Sequence, residues 1–411
     1  MNSEYWEKRL ANVVWNSYNS LEEENIALLD HYSKAMNNIR AELMKLEEQT
    51  ALSRSDKYRV QHLKSIQEQI LEECEKIGDS VENDTIKNVS KHMQDIYKTS
   101  FSSDEKFSQL SKNSCKDIVN TPWQGSSFSE RLWNNTGKLA NELNSILSTG
   151  ITEGKTITEM AFQLSNRMNK DMNACHRLVR TETINSLNRA SMRGMIDADV
   201  KYVRWWAAED ERTCEICGVN HRKVYRIDKA PNLPCHPGCR CTWLPVFEDE
   251  LTPLDVQSVY NLTDQELYAT NKYVAGDFNV INDSLRHGFN LESDELALLE
   301  DLDKALDKFP NYEGRVTRSL YFYTQDHLDS FVNSHVIGLE HVYPEYIATT
   351  KGKIYNPDSH VEIIIENSKK GKDISLLNWK EQEVLYTREN VFIPVDIIVK
   401  DDKIYIYLEE A

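Results

Sequence analysis

The residues best suited to chemistry fall in two groups. The first is Cys214-Glu215-Ile216-Cys217, followed by Pro234-Cys235-His236-Pro237-Gly238-Cys239-Arg240-Cys241. A Cys-x-x-Cys turn offers two thiolates, and a second knuckle about twenty residues later can offer two more soft ligands. Thiolate and imidazole together select zinc in a closed four-coordinate site, which substitutes for hydrophobic core in a short loop-rich segment. The spacing predicts Cys214, Cys217, His236 and Cys239 as ligands, with Cys241 the rival for the fourth place. Reduced cysteines packed without metal are the plain alternative. No carboxylate base stands beside an open position, so the predicted role of the zinc is structural rather than catalytic. Cys74, Cys115 and Cys175 are scattered singly. The start, Met1-Asn2-Ser3-Glu4-Tyr5-Trp6, shows no charged segment leading into an apolar stretch. No secretory signal is therefore expected, and the cluster reads as a metal site before it reads as a disulfide framework.

The second group lies in the last third of the chain. Arg318 sits at the middle of the strand-like run Gly314-Arg315-Val316-Thr317-Arg318-Ser319-Leu320. Tyr346-Ile347-Ala348-Thr349-Thr350 is a strand-like run that ends in small and hydroxylated residues. Glu381-Gln382-Glu383 opens a third, and a period of two would place both carboxylates on one face, addressing one pocket. Singly each feature is weak. An arginine in a strand is ordinarily a surface or salt-bridged residue, and Glu-x-Glu in an acidic chain is ordinarily a solvated pair.

The elements that must position these groups are legible from punctuation and period. No glycine precedes Gly78 and no proline precedes Pro122. Within that stretch Leu29, Tyr32, Met36, Ile39, Leu43 and Leu46 recur at helical spacing, as do Leu63, Ile66, Ile70, Cys74 and Ile77, and then Ile86, Val89, Met93 and Ile96. Two or three long amphipathic helices are expected, bundled with solvated charged faces or offering a docking surface to a larger assembly. Helix continues from Ser127 to about Arg193, with a stop expected at Gly150 and a capping box at Thr156 and Glu159. Five of the ten prolines fall between Pro231 and Pro253, which excludes a long helix around the cysteines. Beyond Pro253 helical patterns run from Thr263 to Ala275, Ser293 to Lys308 and Gln325 to Ser334. Strand patterns run from Arg315 to Phe322, Tyr346 to Thr350, His360 to Glu366, Gln382 to Tyr386 and Val391 to Val399. The last, Lys403 to Leu408, should pair with its predecessor across Asp401-Asp402 as a hairpin. The expected organisation is multidomain: a helical region over 1–124, a mainly α domain with a small zinc-knuckle-like segment over 125–250, and an α+β domain over 255–411.

Composition narrows the function classes. The chain has 411 residues with 48 Lys and Arg against 66 Asp and Glu, a net charge of −18. Such an acidic chain repels phosphate backbones, which argues against a protein that coats DNA, and the charge gives no indication of DNA contact. No run approaches the roughly 18 apolar residues a membrane-spanning helix needs.

Two resemblances follow from the motifs. Arg180-Thr181-Glu182-Thr183 on a helix, Trp206 through Asp210, Arg212, Thr213, Cys214 and Cys217, and then His236-Pro237-Gly238-Cys239-Arg240-Cys241 resemble the Mu F-like family of phage head morphogenesis proteins over roughly residues 125 to 247. His221 departs from the Gly that the family often has a few positions after the second cysteine. The resemblance implies a minor capsid protein of the prohead or virion, inside the head near the portal, with portal and head proteins as partners. By spacing alone, Arg180 and Glu182 lie on a solvated helix face.

The arginine strand, the hydroxylated strand and Glu-x-Glu, in that order, resemble the mono-ADP-ribosyltransferases of the arginine-serine-glutamate class over roughly 255 to 411. Ala348-Thr349-Thr350 departs from the Ser-Thr-Ser usual there, removing one hydroxyl from the ribose side. The resemblance implies NAD as substrate, Arg318 clamping its pyrophosphate, Thr349 and Thr350 positioning the carboxylate or ribose, Glu383 stabilising the ribosyl cation, and Glu381 orienting an arginine acceptor on a host protein. Trp379 either meets that target or packs. The combined expectation is a phage minor head protein carrying an arginine-directed transferase that acts in the host cytoplasm after injection or during assembly. A purely structural head protein with a degenerate transferase module and a bacterial ADP-ribosylating toxin are the alternatives.

Overall fold

The computed structural model describes residues 10–52, 56–99, 110–208, 210, 213–351 and 354–411. Arg212 lies outside the described residues. The chain divides into two compact units, Met1–Arg222 with Arg226–Pro245, and Lys223–Tyr225 with Val246–Ala411.

The first unit is built on helices α1 (Asn12–Ile26), α2 (Leu29–Leu52), α3 (Asp56–Thr99), α4 (Lys112–Asn120), α5 (Phe128–Thr152) and α6 (Ile157–Asp197). The apolar stripes face inward: Tyr32, Ile39 and Leu43 of α2, Ile66, Ile70, Ile77 and Val89 of α3, and Leu132, Leu139 and Leu143 of α5 are all buried. Capping boxes open α5 at Ser127 and Glu130 and α6 at Thr156 and Glu159, where side chain and backbone satisfy each other's orphan amides. The expected stop at Gly150 is corrected. Helix α5 runs on to Thr152 and breaks at Gly154, whose φ is +71°. Gly150 lies within the helix where Met160 packs against it, and a Cβ there would lie 2.6 Å from Met160 Cγ.

After α6 come β1 (Tyr202–Trp206), α7 (Glu215–Asn220), β2 (Val224–Arg226) and β3 (Thr242–Val246), with β1 and β3 hydrogen-bonded neighbours. The proline-rich stretch from Pro231 to Pro237 is irregular and carries the second cysteine knuckle.

The second unit is α+β. Helices α8 (Pro253–Tyr260), α9 (Asp264–Val274), α10 (Asn279–His287) and α11 (Ser293–Lys308) precede β4 (Gly314–Leu320), α12 (Gln325–Ser334), β5 (His341–Tyr343), β6 (Ile347–Thr350), β7 (Val361–Ser368), β8 (Lys372–Asp373), β9 (Glu383–Tyr386), β10 (Asn390–Lys400) and β11 (Lys403–Glu410). The strands form one eight-stranded sheet in the order β5-β10-β11-β7-β4-β6-β9-β8. Val316, Val361, Ile363, Ile365, Val384, Tyr386, Phe392 and Ile406 form its buried core. The expected hairpin is present. Lys400 pairs with Lys403, and Asp401 and Asp402 take φ of 51° and 60°, the left-handed pair that matches strand twist.

One register decides where a cleft can form. Among the described residues β4 meets β6 at the single pair Thr317 and Thr350. Strands β6 and β9 stay in register over four pairs, from Ile347 and Tyr386 to Thr350 and Glu383. Beside the lone β4–β6 pair the sheet opens, and side chains from three strands converge on the gap.

Candidate functional site

The gap is a cavity of about 250 Å³ in the second unit, lined by residues 317–320 and 348–350 with Tyr355, Glu381 and Glu383. It brings together every site residue expected in this part of the chain. Arg318 reaches in from β4, and its Nη1 donates to the Ala348 carbonyl at 3.2 Å. Glu383 is the first residue of β9 and only 5% exposed.

Glu381 is not on the strand, which corrects the period-two argument. Glu381 and Gln382 form a turn, and Gln382 has a φ of 51°. The backbone amides of Glu381 and Gln382 both donate to the Asn378 carbonyl, at 3.2 and 3.0 Å. The two carboxylates approach because the turn folds back, not because of the pleat. Asn378 Nδ2 then donates to Glu381 Oε2 at 2.8 Å and to Glu383 Oε2 at 3.0 Å. Tyr355, from the loop after β6, donates to Glu381 Oε1 at 3.2 Å.

The hydroxyls of β6 brace the same turn. Thr349 Oγ1 donates to the Val384 carbonyl at 2.7 Å and Thr350 Oγ1 to the Glu381 carbonyl at 2.6 Å. Their donor capacity is spent on the backbone that carries the carboxylates, so their structural role is to fix Glu381 and Glu383.

Burial pushes the Glu383 carboxyl up to about 7, and the Glu381 charge adds to that. Hydrogen bonds from Asn378 and Tyr273 and the charge of Arg318 pull the other way. A carboxylate of this kind, desolvated beside a cavity and held by fixed donors, stabilises a positive charge that develops next to it far better than a solvated one. Glu381 is exposed, with Asn378 donating to one of its carboxylate oxygens and Tyr355 to the other. Trp379, on the same turn, is 42% exposed.

Residues invisible to the motif reading also shape the cleft. Tyr273 reaches Glu383 from α9. Glu362 is fully buried, accepts from Ser319 Oγ at 2.8 Å and pairs with Lys403 Nζ at 3.1 Å, which ties a cavity-lining residue to β7 and β11. Neither follows a recognisable spacing. Asn378, five residues before Glu383 on a turn, is the one that turn chemistry could have flagged.

The Cys/His cluster belongs to the first unit. Cys217, Cys235, His236 and Cys239 each bring a ligand atom within 4.8 Å of the others. Cys217 Sγ lies 3.8 Å from both Cys235 Sγ and Cys239 Sγ, and those two are also 3.8 Å apart. His236 Nε2 lies 3.3 Å from Cys217 Sγ. Cys235 was not among the ligands predicted by spacing. Cys214, which was, stands outside the mutually close set, with its sulfur 3.1 Å from His236 Nε2. A hydrogen bond from the Cys241 thiol, with backbone donors, holds Cys239 down at about 5, in the thiolate form a metal requires.

The Arg-Thr-Glu-Thr segment of α6 is not a solvated face. Thr181, Glu182 and Thr183 are buried. Glu182 takes a 2.8 Å ion pair from Arg131, whose guanidinium lies 4.8 Å from the Trp123 ring centroid. Thr181 Oγ1 accepts from the Gly238 amide at 3.3 Å, Asn188 donates to the Cys241 carbonyl at 2.8 Å, and Trp123 Nε1 donates to the Pro234 carbonyl at 2.8 Å. The helix is the bed on which the second knuckle rests.

Residues 141–244 match the family described as Phage Mu protein F like protein. Among curated proteins no sequence matches the chain. Solved structures similar to part of the chain include ADP-ribosyltransferases. The Clostridium limosum C3 exoenzyme has 19% identity over 37% of this chain and 87% of its own, with a TM-score of 0.32. Exoenzyme S from Pseudomonas aeruginosa, solved with human 14-3-3 protein beta and carba-NAD, has 17% identity over 36% of this chain and 75% of its own, with a TM-score of 0.31. Vis toxin from Vibrio splendidus has 22% identity over 37% of this chain and 76% of its own, with a TM-score of 0.30. Among the described residues no helix is long and apolar enough to cross a membrane.

Proposed function

We propose that this chain is a phage head protein whose second unit is an NAD-dependent mono-ADP-ribosyltransferase directed at arginine. The observation that supports it most is the convergence of Arg318, Thr349, Thr350, Glu381 and Glu383 on one cavity, with Glu383 buried at its wall. In the reaction the bond from ribose C1′ to the nicotinamide nitrogen breaks, its electron pair leaves with nicotinamide, and C1′ becomes an oxocarbenium ion. Glu383, ionised, stabilises that charge. Arg318 clamps the pyrophosphate with its fork of donors. An acceptor guanidinium is a poor nucleophile until it loses a proton, and Glu381, exposed at the cavity mouth, is placed to take that proton as the guanidine nitrogen bonds to C1′.

The first unit, which contains the stretch matching the Mu F-like family, supplies the head-protein part: residence in the virion near the portal, contact with portal and head proteins, and release into the host cytoplasm, where the acceptor is a host protein. The Cys/His cluster fits structural zinc. Four-coordinate zinc with bonds of about 2.3 Å to sulfur sets neighbouring sulfurs about 3.8 Å apart, the separation found among Cys217, Cys235 and Cys239. His236 Nδ1 lies 3.0 Å from the Pro237 carbonyl. A proton on Nδ1 donated to that carbonyl leaves the Nε2 lone pair for the metal. These four residues would hold the ion, which would cross-link the two knuckles, with Cys214 outside the set beside His236. A purely structural protein is the second reading, and Ala348, which lacks a hydroxyl at the cavity wall, favours it.

The test is to incubate the full chain and its Glu383→Gln variant with adenylate-labelled NAD and host lysate. Label on a lysate protein with the unmodified chain alone supports the transferase. With a known arginine-directed enzyme labelling the same lysate, no label and no nicotinamide release favour the structural reading.

A further inference from the structure

The turn before β9 holds a side chain that the proposed mechanism does not use. Asn378 Nδ2 has two hydrogens and two partners, Glu381 Oε2 at 2.8 Å and Glu383 Oε2 at 3.0 Å. Its backbone builds the turn independently, because its carbonyl accepts from the amides of residues 381 and 382 and its own amide donates to Ile374. The side chain is therefore free to serve another purpose.

Two carboxylates this close repel when both are ionised. A lysine or arginine between them would hold both but would also cancel the negative charge needed against an oxocarbenium ion. A neutral amide gives each carboxylate one hydrogen bond and leaves the charge in place. The other groups facing Glu383 cannot do this. Tyr273 from α9 has one hydrogen to give, Arg318 from β4 turns Nη1 to the Ala348 carbonyl and brings a full positive charge, and the Tyr355 hydroxyl donates to Glu381.

Resting on the transferase reading, we propose that Asn378 is a positioning residue that locks Glu381 and Glu383 in one mutual orientation, so that the ribosyl cation formed against Glu383 passes to a guanidine nitrogen held by Glu381 rather than to water. In both outcomes the C1′–nicotinamide bond breaks and its electron pair leaves with nicotinamide. In transfer the new bond is from C1′ to the guanidine nitrogen and the proton goes to Glu381. In hydrolysis the bond is from C1′ to water oxygen, and the proton goes to solvent. Without Asn378, Glu381 turns toward solvent while Glu383, packed in the wall, stays.

The experiment measures nicotinamide release and transfer to an arginine peptide from roughly pH 5.5 to 9 for the full chain, Asn378→Ala and Asn378→Asp, with melting temperature as the fold control. In Asn378→Ala the ratio of hydrolysis to transfer should rise by about tenfold or more, and the acid limb of nicotinamide release should move up by about one pH unit, because Glu383 loses a donor to its charged form. Asn378→Asp preserves the shape of the turn and adds a negative charge, so its acid limb should move further. Unchanged ratio and unchanged acid limb in both variants, with an active parent, overturn the proposal. A uniform loss at every pH with the ratio kept also overturns it, since a structural role alone gives that result. A parent that releases no nicotinamide overturns the transferase reading beneath it.

Discussion

Replacing Glu383 by Gln has two opposite effects, a loss in catalysis and a gain in stability. For catalysis, the substitution removes a charge that the proposed reaction sets against the developing oxocarbenium ion, taken at a contact distance of about 4 Å. At an effective dielectric of about 20 that interaction is about 4 kcal/mol, and at about 1.36 kcal/mol per decade the rate should fall about a thousandfold. For stability the sign reverses. Burial raises the Glu383 carboxyl from the usual 4.5 to about 7, so the folded chain holds the proton more tightly than the unfolded one. The stability this contributes is fully present below the unfolded value and is lost as pH rises through about 7. The rise corresponds to about 3 kcal/mol at about 1.36 kcal/mol per pH unit. Gln carries no charge to desolvate. Comparing denaturant unfolding of the two proteins at pH 4 and pH 8, the variant should gain up to about 3 kcal/mol on the unmodified chain between the two conditions. Nicotinamide release, assayed in parallel at pH 8, should be nearly abolished. Release within about tenfold of the unmodified rate, or a variant that is less stable at pH 8 by as much as it is less active, would refute the reasoning.

Arg318→Lys keeps the charge but loses the planar fork, so KM for NAD should rise by about tenfold or more, with kcat less affected, in steady-state kinetics. Metal analysis of the purified chain should give about one zinc, and chelation should lower the melting temperature of the first unit. Cys217→Ala, Cys235→Ala and Cys239→Ala should each lose the metal, while Cys241→Ala should keep it. Glu182→Ala leaves the Arg131 guanidinium without its partner beneath the second knuckle and should cost about 3 kcal/mol in denaturant unfolding.

Period and punctuation located most of the elements, because the long helices bury one stripe and the sheet strands alternate. Helices α11 and α12 and the β10–β11 hairpin lie where their patterns put them. The short helices α4, α7, α8 and α10 and the short strands β1, β2, β3, β5 and β8 were not read from the pattern, since a short segment has too few residues to display a period. The Arg-Thr-Glu-Thr face of α6 misled for a different reason. Its polar residues are buried because the knuckle backbone needs partners there, and one helix's sequence does not reveal what packs against it. Glu381 was placed beside Glu383 by the wrong geometry, a pleat in place of a turn, since a φ of 51° at Gln382 has no signature in a residue type that rarely adopts it. Cys235 escaped because ligand spacing favours regular pairs, whereas the distances at the cluster follow the fold of the proline-rich loop.

The most direct measurement is to give the purified full chain NAD and an arginine peptide, and to quantify nicotinamide release together with the mass of the peptide. The expected result is nicotinamide release together with an ADP-ribosyl group on the arginine, both dependent on Glu383. Intact NAD and an unmodified peptide, with zinc bound and the protein folded, would contradict it.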